Sequence, residues 1–269
     1  MLVVGLTPPE VAHIRSSLRQ HADVHLCPTV AEAQRWLSAR TLPPTAAIVA
    51  ASDDDRVPTA RFVSGLVSGP APLPTIGFSS GRAEERRDAL ALIHAGVHTV
   101  VFADLDHAAT SVRHLVDEAT HACAGQQLLK RLSPLVAPEV HHVLLFALHY
   151  PERCPRVGAL ARGLGVHRRT LVNLCHRSGL PAPEILLTWC RVMVAAYLLI
   201  TTRITVEQIA NSLDFPSANA MRNLFNRRMG ATPLQVRAGW DVERIIARFR
   251  GDLAQGAQED SRDIRRARG

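Results

Sequence analysis

Two stretches of this chain are variants of one pattern, VGALARGLGVHRRTLVNLCHRSG from Val157 to Gly179 and VEQIANSLDFPSANAMRNLFNRRMGATP from Val206 to Pro233. A shift of 49 lays Val157 on Val206, Ala161 on Ala210, Leu164 on Leu213 and Gly165 on Asp214. After one extra residue in the second copy, a shift of 50 lays Leu171 on Met221 and Cys175 on Phe225. Such a duplication requires one small unit to be built twice. Each copy reads as a short helix with a small residue at its packing point, a tight turn, and a second helix. Gly165 and Asp214 stand at the turns, where a positive φ is needed that bulkier residues resist. This is the pattern of a helix-turn-helix.

In such a unit the second helix enters a major groove, so its inner side is apolar and its outer side reaches phosphates and base edges. In the first copy Leu171, Leu174 and Cys175 face inward, leaving His167, Arg168, Arg169, Thr170, Asn173 and Arg177 outward. In the second, Met221, Leu224 and Phe225 face inward, leaving Ser217, Asn219, Arg222, Asn223, Asn226 and Arg227 outward. Arginine and asparagine pair bidentately with guanine and adenine. These twelve outward residues are the candidate DNA-binding set.

The first half follows a different period. Short β-like runs at Leu2–Leu6, Val24–Cys27, Ala46–Ala51, Thr75–Phe78 and Thr99–Phe102 alternate with helical patterns at Pro8–His21, Val30–Arg40, Thr59–Ser68, Arg82–Ala95 and Asp106–Ala124. Five βα units predict a parallel sheet covered on both faces. The sheet-type pattern stops after Gly125, and Leu135–Pro138 breaks the chain before a helical stretch at Glu139–His149. Beyond it only helical patterns follow, cut by Gly and Pro. The expected division is an α/β domain over 1–124, a linker over 125–138, and an all-α domain over 139–240 whose two motifs occupy about 156–179 and 205–230. A last helix end and a basic flexible tail follow over 241–269, with Gly251–Gly269 the polar, Arg-rich part.

Charge separates the halves. Residues 1–134 carry twelve basic and thirteen acidic groups, net −1, and residues 135–269 carry nineteen and eleven, net +8, which together give the +7 of the chain. The excess points to an acidic partner for the second half.

The second half resembles the C-terminal DNA-binding domain of the AraC/XylS family of transcription regulators over about Glu139–Trp240. The likeness is carried by Ile209-Ala210, Leu213-Asp214-Phe215, Phe225, Gly230, Thr232-Pro233 and Arg237 at the family's spacing. It implies that Pro183–Ile200 is a long helix joining the motifs, and that Arg169, Val172, Asn173, Asn219, Arg222 and Asn223 face the groove. The sequence departs from the family at Asp214, where glycine is usual, and at Ala220 and Met221, where aromatics are common. The implied function is a sequence-specific DNA-binding transcription regulator reading two adjacent major-groove segments. The partners expected are double-stranded DNA, a second copy in a homodimer, and RNA polymerase as a further candidate. A protein-interaction adaptor with degenerate DNA reading is the alternative.

The βα order, with Pro74–Ser79 and Ala95-Gly96-Val97, is similar to the receiver domains of response regulators, a flavodoxin-like parallel sheet. Phosphoryl chemistry there needs acidic residues after the first strand, an aspartate after the third and a lysine after the fifth. This chain has Gly5-Leu6-Thr7, Ala50-Ala51-Ser52 and Ala103-Asp104, and only Ser79 survives. Asp53, Asp54 and Asp55 lie near the missing acceptor. The expectation is a pseudo-receiver serving signal input or dimerisation.

Other features are read more plainly. Cys27, Cys123, Cys154, Cys175 and Cys190 form no C-x-x-C pair and read as buried thiols in a reducing compartment. His107, His114 and His121 recur every seven residues and are expected on a solvated helix side near Glu118. His94 and His98 have zinc-ligand spacing, but Gly96 is expected to end the helix between them. No metal and no cofactor is assigned. Arg227 is expected at phosphate, and Arg228 beside it is read as surface charge. No G-x-S-x-G, Walker loop, H-E-x-x-H or G-x-G-x-x-G occurs, so an enzyme is not expected. The longest apolar run, Val192–Ile200, is nine residues, and no export signal is evident at the start, so no membrane association and a cytoplasmic location are expected.

Overall fold

Side chains on successive strand residues point to opposite faces, and the first three buried residues of the chain show what this does here. Leu2 and Val4 join Ala47 and Val49 in one apolar cluster with Ala33, Val63, Val67 and Leu92. Val3 lies in another with Ile48, Ala50 and Ile76, against Val11, Ile14, Leu18 and Ala119. Both faces of the sheet are therefore covered. The computed structural model describes residues 1–18, 23–40, 43–69, 72–79, 85–102, 112–153 and 156–253. It divides into two units, Met1–Cys123 and Ala124–Gly269.

In the first unit the strands are β1 (Leu2–Val4), β2 (His25–Cys27), β3 (Ala47–Ala50), β4 (Thr75–Ser79) and β5 (Thr99–Phe102). They form one parallel sheet in the order β2-β1-β3-β4-β5, with Val3 opposite both Leu26 and Ile48, and Gly77 opposite Val100. The helices between them are α1 (Pro8–Leu18), α2 (Val30–Ser38), α3 (Ala60–Ser68), α4 (Glu85–His94) and α5 (Val112–Leu132). Each of the five expected strand regions holds a strand. Thr29 caps α2 by accepting from Glu32 N at 3.3 Å.

The chain departs from the sequence expectation at Gly125. Residues 125–132, expected to begin a linker, continue α5, and two 3-10 turns follow at Ser133–Leu135 and Pro138–Val140. Glycine is required there by close approach, because a Cβ would stand 2.6 Å from the Leu148 carbonyl oxygen. The residue that reads as a breaker in the sequence is a packing position.

The second unit continues with α6 (His141–His149), α7 (Val157–Gly163), α8 (Arg168–Arg177), α9 (Pro183–Thr201), α10 (Val206–Ser212), α11 (Ala218–Met229) and α12 (Pro233–Gly239). A last helix, α13, covers 242–253. No strand occurs among the described residues of this unit. Its core is built round α9, which packs against α6, α7, α8, α10, α11 and α12. Twelve α9 side chains are buried, Trp189, Cys190 and Met193 among them. By length and hydropathy α9 meets the requirement for a membrane span, but most of that apolar surface is spent on this core.

Residues 251–253, expected in a flexible tail, belong to α13; residues 254–269 lie outside the described residues. Asp252 accepts from Trp189 Nε1 at 2.6 Å and from Arg228 Nη1 at 3.2 Å. Arg248 Nε donates to the Arg228 carbonyl at 2.8 Å. Arg228, expected as surface charge, is thus half-buried between Asp252 and the Trp189 ring.

Candidate nucleic-acid interface

The two motifs close their turns with the same three backbone bonds. In the first, Leu164 N donates to Leu160 O, Gly165 N to Arg162 O and Val166 N to Ala161 O. In the second, Leu213 N donates to Ile209 O, Asp214 N to Asn211 O and Phe215 N to Ala210 O. Each pair of partners differs by 49. The final bond, made by the residue after the left-handed one, is that of a Schellman ending. Gly165 has φ +65° and Asp214 φ +55°, as the sequence requires. His167 and Ser217 then cap the second helices, accepting from Arg169 N at 3.3 Å and Ala220 N at 3.0 Å. The caps differ by 50, which places the extra residue of the second copy inside its turn.

The signature residues after the second motif are mostly helix stops and starts. Gly230 ends α11 at φ +67°. Thr232 forms a capping box with Gln235, and Pro233 occupies the first turn of α12, where its missing N–H is not needed. Arg237 Nε donates to Leu199 O at 3.1 Å, and its Nη2 donates to Ile204 O. A cation at the last carbonyls of α9 complements that end of the helix dipole.

On this frame the inner residues lie where expected: Leu171, Cys175, Met221 and Phe225 are buried, and Leu174 and Leu224 pack on the same core. Of the twelve outward residues, eleven are exposed and Arg222 is half-exposed. They are not equally free. His167 and Ser217 use their acceptors as caps. Arg168 pairs with Glu184 at 2.9 Å. Arg222 pairs with Glu207 at 2.6 Å and donates to Asn219 Oδ1 at 3.0 Å. Arg169, Arg177 and Arg227 make no ion pair among the described residues. Sequence reasoning missed Glu184 and Glu207, which come from neighbouring helices with no sequence periodicity to announce them.

The acidic cluster of the first unit has a structural task. Asp53 is 7% exposed. Its Oδ1 accepts from Asp55 N at 3.1 Å and Val57 N at 2.9 Å, and its Oδ2 from Val30 N at 3.0 Å. Asp54 and Asp55 are exposed and Ser79 is buried. Ala103-Asp104 lies outside the described residues.

The histidines separate by burial. His114 is exposed and lies 3.3 Å from Glu118, but His121 is 1% exposed and is not on a solvated side. Its α5 neighbours Ala119 and Cys123 are buried as well, so this later turn of α5 is covered although a heptad rotates the helix by only about 20°. His107 lies outside the described residues. Helix α4 ends at His94, Gly96 follows at φ +94°, and His98 Nδ1 lies 3.3 Å from Thr75 O. Burial holds the His98 ring below the usual histidine range, against a smaller upward effect of that bond.

Residues 160–239 match the family model described as a helix-turn-helix domain. No curated protein matches the chain. Among solved structures, the chain is similar to the DNA-binding domain of AdpA, "the global transcriptional factor", in complex with a target DNA: 30% identity, 38% of this chain and 92% of that one, TM-score 0.33. It is also similar to the "xylose-binding transcription activator xylR", at 15% identity over 88% of this chain and 69% of that one, TM-score 0.33. Residues 160–239 are thus similar to a helix-turn-helix domain, in agreement with the duplicated turns.

Proposed function

We propose that this chain is a sequence-specific DNA-binding transcription regulator in which α8 and α11 each enter one of two adjacent major-groove segments. The observation that carries this reading is the repeated turn, with the same three bonds at a shift of 49 and each following helix presenting arginine and asparagine outward. Helix α9, 19 residues and about 28 Å long at 1.5 Å per residue, is the spacer between them. Successive major-groove segments on one face of a duplex recur at about 34 Å. Arginines and exposed caps anchor phosphates, and Arg169, Asn173, Asn219 and Arg222 face base edges.

The first unit is a receiver-like domain in this reading, supported by its 2-1-3-4-5 strand order, which is the flavodoxin-like one. With Asp53 committed to three backbone N–H groups, it takes no phosphate by the usual route. Its task is signal input or self-association, and the regulator works in the cytoplasm as a homodimer, without catalysis, cofactor or membrane, with RNA polymerase as a further partner.

Selection of bound duplexes from a random pool at two salt concentrations tests the proposal. Two short enriched blocks about one helical turn apart are expected, with affinity falling as salt rises. A folded protein that enriches no sequence at either concentration overturns it and favours an adaptor. Sedimentation showing only monomer at micromolar concentration overturns the dimer.

A further inference from the structure

The two motifs share a turn but have diverged together at three outward positions. In the second copy Glu207, Asn219 and Arg222 form one hydrogen-bonded group, with the Arg222 guanidinium held by a carboxylate oxygen at 2.6 Å and an amide oxygen at 3.0 Å. Their counterparts in the first copy are Gly158 (207 − 49), Arg169 (219 − 50) and Val172 (222 − 50). Where the arginine is present both of its holders are present, and where valine replaces it neither holder remains. Val172 is 40% exposed in the outward stripe of α8, between Arg168 and Arg169 on one side and His176 on the other.

We propose that the two recognition helices read chemically different base pairs at this shared position: a guanine under Arg222 and a thymine methyl under Val172. This deepens the DNA-reading proposal and rests on it. A guanidinium has five donors and Arg222 uses two internally, so three remain for an acceptor pair such as guanine O6 and N7. Fixing the side chain in advance lowers the entropy lost on contact. Val172 has no donor. Among base edges in the major groove the thymine C5 methyl is the apolar group it fits. The bound site is consequently unlike in its two blocks rather than a repeat of one block.

The test uses the full chain and its selected duplex, with each thymine replaced in turn by uracil, which lacks the methyl, and each guanine by 7-deazaguanine, which lacks the N7 acceptor. One thymine-to-uracil change is expected to weaken wild-type binding about four-fold, the factor from burying one methyl-sized apolar group, and to weaken Val172→Ala, whose side chain is shorter, by less. One 7-deazaguanine, in the other block, is expected to weaken wild type at least about five-fold and to leave Arg222→Ala unaffected. Carrying the group across supplies a gain-of-function arm. The triple variant Gly158→Glu, Arg169→Asn, Val172→Arg should exchange the methyl requirement for an N7 requirement, and the backbone at Gly158 has room, with only the Arg162 side-chain end within 4 Å of a new Cβ. A selected site indifferent to both modifications, or a methyl effect undiminished in Val172→Ala, overturns this proposal alone. Failure to select any site overturns it together with the DNA-reading proposal.

Discussion

Asp252 sits where the sequence reads as an unstructured end, and its removal measures how far α13 is part of the second unit's core. Its carboxylate joins Trp189, a fully buried ring from the central helix, to Arg228 in the last turn of α11. Asp252→Ala leaves the indole N–H without its acceptor, worth about 1–3 kcal/mol when buried. It also removes the partner of Arg228. That pair is 21% and 25% exposed, between an exposed pair at about 0–1 kcal/mol and a fully buried one whose breakage costs about 3–5 kcal/mol. Because both bonds end on the same oxygen, the losses are not additive, and about 2–3 kcal/mol is expected for the whole. Asp252→Asn keeps a carbonyl acceptor for Trp189 and loses only the charge, so about 1 kcal/mol is expected. Urea unfolding read by tryptophan emission is the assay, in a Trp36→Phe background so that Trp189 and Trp240 of the second unit give the signal. An unfolding free energy for Asp252→Ala within about 0.5 kcal/mol of the parent, the range of ordinary surface changes, would refute the reasoning. So would equal losses in the alanine and asparagine variants.

Three further outcomes follow from single residues. Burial makes His98 harder to protonate in the folded first unit, whereas the unfolded chain protonates near the ordinary value of 6.5; the unfolded state then binds more protons, so stability is lost as pH falls through about 6.5. Urea midpoints for that unit at pH 7.5 and 5.5 should differ more in wild type than in His98→Gln, and equal differences would exclude His98 as the source. At the duplicated turn, Gly165→Ala puts a Cβ at φ +65° and should cost about 1 kcal/mol or more, while Asp214→Gly should be neutral or stabilising by a few tenths, both read by thermal unfolding. Burial pushes the Cys175 thiol up to about 11, so in native protein at pH 8 a maleimide should leave Cys175 unlabelled and label it only in urea; native labelling at the rate of a free thiol would contradict its burial.

What the sequence makes legible follows from local chemistry. The turns were readable because a positive φ restricts residue choice, and both Gly165 and Asp214 adopt it. The sheet was readable because strands buried on both faces leave continuous apolar runs such as Ala47–Ala50 between helical periods. Gly125 misled because a glycine signals either a break or a close approach, and the Leu148 carbonyl that decides between them lies 23 residues further on. Asp53 offered the same ambiguity: three acids in a row do not say which one turns inward to bind the backbone. Residues 251–253 read as part of a tail because Asp252 is polar in composition, yet its partners are 63 and 24 residues away.

The same division explains why the candidate interface is the least legible part. Its frame is fixed by caps and backbone bonds repeated at a constant shift, so the residues that make it are predictable from position. The groups on that frame are set by partners on other helices. Arg168 is tied to Glu184 across 16 residues and Arg222 to Glu207 across 15, while Arg169, Arg177 and Arg227 carry no such tie among the described residues. In the proposed reading, Arg222 is therefore a restrained fork, able to select a base, and Arg227 a cation free to meet phosphate. Arg222→Ala should relax sequence preference at one position with little change in salt dependence, and Arg227→Ala should weaken all duplexes and reduce the salt slope by about one. Titration of one selected and one random duplex with both variants across salt separates the two roles. Equal losses on both duplexes from both changes would show that the internal pairing of Arg222 does not set its part in recognition.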